Sequence, residues 1–493
     1  MNFSMIRYIL GQILKIEATF LLLPFVTALL YKEDEGFVYL SVAAIAALLG
    51  WLMTVRKPSE NVFYLKEGCV ATALSWMLMS FIGSLPFFLT GEIPSFTDAL
   101  FETVSGFTTT GASILSEVES LTHCTMLWRS FTHWIGGMGV LVFLLAVVPM
   151  SGGSHMNLMR AESPGPSVGK LVPKIKHTAR ILYLIYLAMT ILQIILLCIG
   201  DMPLFEAVNT AFATAGTGGF GIKNDSFASY SPYLQWVTTI FMILFGVNFN
   251  AYYILLFSKF KKNFFMEEVR YYFLIIVAAV GIIFVNILET SQNAFNALTD
   301  ASFQVASIIT TTGFATTDFD LWNGSAKTIL SLLMFIGACA GSTGGGIKIS
   351  RIMILIKSIF KECHSYIHPK SIKKIKFEEK EVDQDVVRAT SVYLVTFIVL
   401  FIASVFVISF EGHDLVTNFT AVAATINNIG PGFEMVGPTQ NFGFFNDFSK
   451  FVLMFDMLAG RLELFPLLIL FHHGTWKDIH AHRKAIKKLT SQK

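Results

Sequence analysis

The stretch Leu298-Thr-Asp-Ala-Ser-Phe-Gln-Val-Ala-Ser-Ile-Ile-Thr-Thr-Thr-Gly313-Phe-Ala is a half-length apolar segment that runs into a Thr/Gly cluster, and the chain repeats it. The other copies read Phe96-Thr-Asp-Ala-Leu-Phe-Glu-Thr-Val-Ser-Gly-Phe-Thr-Thr-Thr-Gly111-Ala-Ser, Leu204-Phe-Glu-Ala-Val-Asn-Thr-Ala-Phe-Ala-Thr-Ala-Gly-Thr-Gly-Gly219-Phe-Gly and Phe419-Thr-Ala-Val-Ala-Ala-Thr-Ile-Asn-Asn-Ile-Gly430-Pro-Gly. Asp98, Glu206 and Asp300 each stand thirteen positions before their glycine, and the fourth copy carries no acid there. An acid at the start of a short helix complements the positive end of its dipole. Each segment has room for about ten to twelve helical residues, roughly 16 Å at ~1.5 Å per residue. That is half the ~30 Å core of a bilayer, so each segment is expected to enter and turn back.

Composition places the copies in a membrane. The chain has 493 residues, 54% hydrophobic and 14% charged, with mean hydropathy +0.62. Soluble domains carry about 25% charged residues. Apolar runs long enough to span lie near 9–31, 37–55, 67–90, 124–150, 179–200, 232–258, 268–290, 325–358, 388–410 and 447–472. The fold class expected is therefore an all-α polytopic membrane protein of about ten transmembrane helices. It divides into an N-terminal two-helix extension (1–66), pore repeats at 67–150, 179–258, 268–358 and 388–472, and a basic tail (473–493). The third repeat is expected to have a broken second span.

Lysines and arginines set the orientation. Arg56, Lys57 and Lys66; Arg160, Lys170, Lys174, Lys176 and Arg180; Lys259, Lys261, Lys262 and Arg270; and Lys357 through Arg388 all fall on one side of ten spans, with Arg483, Lys484, Lys487 and Lys488 in the tail. Glu33 to Glu35, Glu117, Glu119, Asp318, Asp320, Glu411 and Asp414 fall on the other. Both termini are expected in the cytoplasm, and membrane lipid is the expected surround. The net charge of +2 does not point to nucleic acid. The five cysteines are scattered, which points to neither a zinc site nor a disulfide framework. No cluster of acids, histidines and a nucleophile at one depth indicates an enzyme, and no cofactor is implied.

Non-helical backbone at mid-membrane persists only where protein buries it or water lines it. Four such loops imply a common axis with approximate fourfold symmetry. Backbone carbonyls around that axis can replace the hydration shell of a monovalent cation. Glycine reaches the dihedrals this requires and leaves the path clear. The threonines at 108–110 and 310–312 can add hydroxyl oxygens. No acidic side chain lies in the loops, which argues against a divalent-ion filter.

Two further features stand out. Gly337-Ala-Cys-Ala-Gly-Ser-Thr-Gly-Gly-Gly346 puts five glycines in ten residues inside a span, followed by Lys348 and Arg351. Such a break either lines a cavity or lets helices approach closely. Arg461 lies inside the last span, where an arginine costs at least about 2.5–3.5 kcal/mol unless it faces water or protein. It reads as an electrostatic barrier or as half of an ion pair, with Asp456 and Glu463 as the near acids.

The chain resembles the Trk/Ktr/HKT superfamily of K⁺ transporters, most closely its bacterial TrkH type. The matching motifs are Thr-Thr-Thr-Gly-Ala (108–112), Trp-Ile-Gly-Gly-Met-Gly (134–139), Gly-Gly-Phe (218–220), Thr-Thr-Thr-Gly-Phe (310–314), Ala-Gly-Ser-Thr-Gly-Gly-Gly-Ile-Lys (340–348), Asn-Asn-Ile-Gly-Pro-Gly (427–432) and Gly-Arg-Leu-Glu-Leu (460–464). The two extra N-terminal spans also look like the TrkH branch. The resemblance implies K⁺ uptake across a bacterial inner membrane. It implies a K⁺ selectivity filter at Thr109, Thr110, Gly111, Gly218, Gly219, Thr311, Thr312, Gly313, Asn428, Ile429 and Gly430. The metal contacts there would be carbonyls of Thr110, Gly111, Gly219, Thr312, Gly313, Asn428 and Gly430. It implies a gate formed by Gly341, Ser342, Thr343, Gly344, Gly345, Gly346, Lys348 and Arg461, a homodimer with one pore per subunit, and a cytoplasmic nucleotide-binding regulator of the TrkA type. Glycine at all four filter positions goes, in the family, with K⁺ over Na⁺. A Na⁺- or H⁺-coupled symporter with the same fold is the alternative. Coupled carriers, however, usually show two inverted repeats rather than four in one orientation.

Overall fold

The computed structural model describes residues 1–58, 64–139, 175–257, 266–371, 373–378 and 380–476. Of the basic residues that set the expected orientation, Arg160, Lys170, Lys174, Lys259, Lys261, Lys262 and the tail lysines and arginine from 483 lie outside the described residues, as do 140–150 of the first repeat.

The N-terminal extension is a helical hairpin. Helix α1 (Phe3–Phe20) continues after Leu21 into α2 (Leu22–Tyr31), and α3 (Gly36–Thr54) returns antiparallel. Gly11 and Gly50 let α1 and α3 touch backbone to backbone, because a Cβ on Gly50 would lie 2.7 Å from the Gly11 carbonyl oxygen. Glu33, in the turn after α2, accepts hydrogen bonds from the backbone N–H groups of His123 (2.7 Å) and Cys124 (3.0 Å) and contacts His123 Nδ1 at 2.8 Å. It thereby caps a helix of the first repeat.

Each repeat then supplies a first helix, a short second helix and a third. The first helices are α4 (Leu65–Leu89), α7 (Ile175–Ile199), α11 (Glu267–Ile287) and α15 (Gln384–Ile408). The short helices are α5 (Phe96–Phe107), α8 (Leu204–Gly216), α12 (Ala294–Ile309) and α16 (Leu415–Ile426), of 12, 13, 16 and 12 residues. The third helices are α6 (His123–Gly137), α9 (Pro232–Phe245), α13 (Gly324–Met334) and α17 (Asp447–Arg461). Further α-helices among the described residues are α10 (Phe249–Phe257), α14 (Ile349–Ile367) and α18 (Phe465–Leu468).

Among the described residues, six helical stretches are long and apolar enough to cross a membrane, or seven with the bent pair α9–α10, whose halves meet at 89°. Several of the ten apolar runs read from the sequence are divided by such bends, which mean hydropathy does not register. The closing span of the third repeat is interrupted between Met334 and Ile349, and other closing spans are interrupted as well. The breaks fall after Phe245 and Met334, and after Arg461. The closing helix of the first repeat, α6, ends at Gly137.

The helix-dipole expectation holds for Asp98 and Glu206, which sit in the first turns of α5 and α8. It does not hold for Asp300, because α12 begins at Ala294 and places Asp300 in its second turn. Its carboxylate instead accepts a hydrogen bond from the Thr316 hydroxyl at 2.8 Å. In the fourth copy Asp414 caps α16, accepting from the Thr417 N–H at 2.9 Å.

Candidate functional site

The four short helices end in the same backbone signature. Thr109, Thr217, Thr311 and Asn428 have φ between 54° and 57°, and two residues later Gly111, Gly219, Gly313 and Gly430 have φ of 79°, 78°, 90° and 104°. A left-handed threonine is costly by about 1–2 kcal/mol, so the repetition identifies one loop built four times. Two backbone N–H groups in each loop turn back onto their own helix. Thr110, Gly218, Thr312 and Ile429 donate to the carbonyls of Ser105, Ala213, Ser307 and Ala424 at 2.8–2.9 Å. Thr109, Thr217, Thr311 and Asn428 donate to Gly106, Thr214, Ile308 and Thr425 at 2.9–3.1 Å. The carbonyls of Thr110, Gly218, Thr312 and Ile429 accept no hydrogen bond among the described residues.

The loops meet one another in a closed ring. A Cβ placed on Gly111 would strike the Gly218 carbonyl oxygen, one on Gly219 that of Thr312, and one on Gly313 that of Ile429. One on Gly430 would lie 2.9 Å from the Thr110 carbonyl oxygen. Each glycine thus backs onto the carbonyl of the residue before the glycine in the next loop, and the fourth loop returns to the first. Any side chain at these positions would have to displace a backbone oxygen, and only glycine also suits the dihedral. The structure brings together the four glycine loops that the sequence singles out, and adds Thr217, which the sequence reading passed over. Counting back two places from Gly219 would have found it.

Four of the six threonine hydroxyls are turned to one another or to their own helices. Thr108 and Thr110 bond each other at 2.8 Å, and Thr310 and Thr312 do so at 2.7 Å. Thr108 and Thr310 also donate to carbonyls of their own helices. Asn428 Nδ2 donates to Thr110 Oγ1 and to the Met457 carbonyl, both at 2.9 Å, tying the fourth loop to the first. These groups stiffen the ring from behind.

The glycine-rich break of the third repeat lies against one end of this ring. Its neck closes where Gly337 N–H donates to the Ile347 carbonyl at 2.8 Å. Gly345 N–H donates to Thr311 Oγ1 at 2.6 Å. A Cβ on Gly344 would lie 2.9 Å from the Thr310 carbonyl oxygen, and one on Gly345 2.5 Å from that of Asn427. Gly341 and Gly346 turn with φ of 70° and 69°. Buried Lys348 donates from Nζ to the Gly344 carbonyl and, at 3.0 Å, to that of Gly345. Thr343 N–H and hydroxyl both reach the Phe245 carbonyl, at the break between α9 and α10.

Arg461 closes the arrangement. Its guanidinium donates to the carbonyls of Thr343 (2.9 Å), Gly137 (3.1 Å) and Gly136. It therefore bridges the end of α6 and the glycine-rich loop. Asp456 and Glu463 have other partners. Asp456 accepts from the Ser404 hydroxyl at 2.7 Å, and Glu463 pairs with Arg351, which also stacks 3.9 Å over Tyr393. Glu268, absent from the sequence reading, accepts from the N–H groups of Ala340 (2.7 Å) and Ser350 (3.1 Å) and holds both arms of the loop. An acid at the edge of an apolar run was the signal that could have found it. Among the described residues no cluster of three or more His, Cys, Asp or Glu side chains could hold a metal ion.

This arrangement has close counterparts. Residues 36–477 match the family model TrkH, described as a cation transport protein. The chain is 34% identical to the Trk system potassium uptake protein TrkH of Salmonella typhimurium, over 97% of this chain and all of that protein. It is 33% identical to the Trk system potassium uptake protein TrkG of Escherichia coli, with the same coverage. The crystal structure of the potassium transporter TrkH from Vibrio parahaemolyticus superposes with a TM-score of 0.87 at 32% identity, covering 97% of this chain and all of that one. Four left-handed loops in a ring, a helix broken beneath them, and matches spanning nearly the whole length lead to one assignment: the chain belongs to the TrkH family of cation transport proteins.

Proposed function

We propose that this protein takes up K⁺ across the bacterial inner membrane, and that the ring of loops is its selectivity filter. The observation that carries this reading is the closed cycle of glycine-to-carbonyl approaches through Gly111, Gly219, Gly313 and Gly430. Carbonyls of Thr110, Gly218, Thr312 and Ile429 lie next to the neighbouring loops and accept no hydrogen bond among the described residues, which leaves them available to an ion. Oxygen dipoles at close quarters replace water around a monovalent cation without a fixed charge that would trap it. The potassium named in the relatives' descriptions agrees with this choice of ion.

The glycine-rich loop and Arg461 form the gate in this reading. The loop touches filter residues on one side and Arg461 on the other. A guanidinium beside the path repels a cation, and the loop, held by Lys348, Glu268 and Arg461, is a unit that can shift as one. A homodimer with one path per subunit and a cytoplasmic nucleotide-binding regulator of the TrkA type complete the proposal.

The test is uptake of radioactive Rb⁺ into liposomes holding the purified chain, with Na⁺ as competitor and with and without a proton gradient. Uptake that external K⁺ blocks and Na⁺ does not is the expected result. Uptake that collapses without Na⁺ or a proton gradient would replace the gated path with the coupled alternative.

A further inference from the structure

Three of the four loops are braced by their own side chains. Thr108 bonds Thr110, Thr310 bonds Thr312, and Asn428 reaches Thr110 and Met457. The second loop has Gly216 and Gly218 where the first and third carry their paired threonines, and its Thr217 hydroxyl donates to the adjacent Gly216 carbonyl at 2.6 Å rather than across the loop. It is held from outside, by helix α6 of the first repeat. His133 Nε2 accepts from the Phe220 N–H at 3.3 Å, while its Nδ1 contacts the Gly106 carbonyl at 2.8 Å. Arg129, four residues earlier and so on the same helix face, donates from Nη1 to the Gly221 carbonyl at 2.9 Å. Its guanidinium lies 3.7 Å over the Phe220 ring.

Arg129 is buried and is matched by the equally buried carboxylate of Glu102 on α5, at 2.6 Å. Glu102 also accepts from the Ser113 hydroxyl (2.9 Å and 3.1 Å) and from the Ile114 N–H (3.0 Å). Arg129 Nη2 contacts Ser113 Oγ at 3.2 Å. Ser113 stands two residues after Gly111, and Gly221 two residues after Gly219. The ion pair therefore bridges equivalent points of neighbouring loops.

Stability alone is a poor account of this pair. A buried ion pair is often no better than a well-packed apolar pair of the same volume, because both ions lose their water. An apolar pair, however, cannot fix donor–acceptor distances among Ser113, Ile114 and Gly221. Carbonyl-lined sites discriminate between ions through cavity size or through the number and field of their oxygens, and both depend on loop spacing.

We propose that Glu102 and Arg129 are positioning residues for ion discrimination, setting the separation of the first two loops and replacing the hydroxyl brace that the second loop lacks. This rests on the filter reading given above. The experiment measures Rb⁺ uptake under Na⁺ competition for the full-length chain in liposomes, with thermal stability in parallel. The variants are Glu102→Gln, the neutral double variant Glu102→Gln with Arg129→Gln, and Glu102→Asp. The expected result is Rb⁺ uptake that persists while preference for Rb⁺ over Na⁺ falls roughly tenfold, the scale set by losing one charge-assisted hydrogen bond. A purely structural pair would lower melting temperature or yield and leave the preference unchanged, and that outcome overturns the proposal. Should the glutamine variants fail to fold, Glu102→Asp decides, since it keeps the charge and withdraws the carboxylate by one methylene. Gly111→Ser serves as the reference. If it alters the preference and the pair variants do not, the pair is only structural and the filter reading stands. If neither alters it, the filter reading falls and takes this inference with it.

Discussion

Gly111 backs onto the carbonyl oxygen of Gly218 so closely that no Cβ fits between them, although 107 residues separate the two in the chain. Gly111→Ser must push that oxygen aside and also tolerates a φ of 79° poorly. The displaced oxygen belongs to the ring assigned to the ion. Preference for Rb⁺ over Na⁺ should fall by about tenfold, as for one mispositioned strong ligand. Total uptake should persist, because three loops keep their spacing. Proteoliposome uptake under Na⁺ competition reads both quantities, and an unchanged preference would remove Gly111 from the filter.

Arg461→Ala should raise the basal rate. The guanidinium bridges the carbonyls of Gly136, Gly137 and Thr343, so alanine removes both a positive charge and the tie that holds the loop. A unit charge close to the path costs a passing cation about 4 kcal/mol at ~4 Å and intermediate dielectric. Even a third of that corresponds to about tenfold in rate. Initial Rb⁺ uptake by the purified variant measures it, and an unchanged rate would reduce Arg461 to a structural strut.

The repeat unit was legible because four glycines recur at the same place after four half-length helices, and the physics of burying bare backbone in a bilayer then demands a shared axis. Arg461 and Lys348 were legible for a related reason: a charge in an apolar run is conspicuous. What stayed hidden depends on three dimensions. The break after Phe245 is marked only by Gly246, Asn248 and Asn250, which averaged hydropathy smooths over, so the 89° bend does not show in the apolar pattern. Asp300 sits thirteen residues before its glycine, yet α12 starts about one turn earlier than the spacing in α5 and α8 implies, capped by Asn293, whose side chain accepts from the Asn296 N–H at 2.8 Å. The threonine hydroxyls were read as ion ligands because side-chain type was visible and rotamer direction was not. Arg129 and His133 carried the same signal as Arg461 but lay next to a motif that drew the reading to its glycines.

Lys348→Met should loosen the glycine-rich loop while keeping its volume. The ammonium holds the carbonyls of Gly344 and Gly345, and Gly345 in turn donates to Thr311 of the filter. Charge-assisted bonds of this kind contribute about 1.5–3 kcal/mol each. Their loss should favour displaced positions of the loop and raise basal Rb⁺ uptake by roughly tenfold. The filter should retain its ion preference, because the ring braces lie elsewhere. A variant with normal uptake and altered preference would place Lys348 in the filter's support rather than in the gate.

The turn at Glu33 makes a prediction about acid. Partial burial pushes its carboxyl upward, but the hydrogen bonds from His123 and Cys124 outweigh this and hold it below its ordinary value of 4.5. A carboxyl whose folded pKa is depressed adds stability above the unfolded value and loses it as pH falls through the folded one. The clamp between the N-terminal hairpin and α6 is therefore whole at neutral pH and is lost below pH 4.5, as the lowered folded pKa is crossed. Glu33→Gln cannot carry the charge at any pH. Melting of the detergent-solubilised chain should show the wild type ahead of Glu33→Gln at neutral pH, with the gap closing as the carboxylate is protonated. A gap that is constant across the acid range would mean that shape alone, and not the charge on Glu33, caps His123 and Cys124.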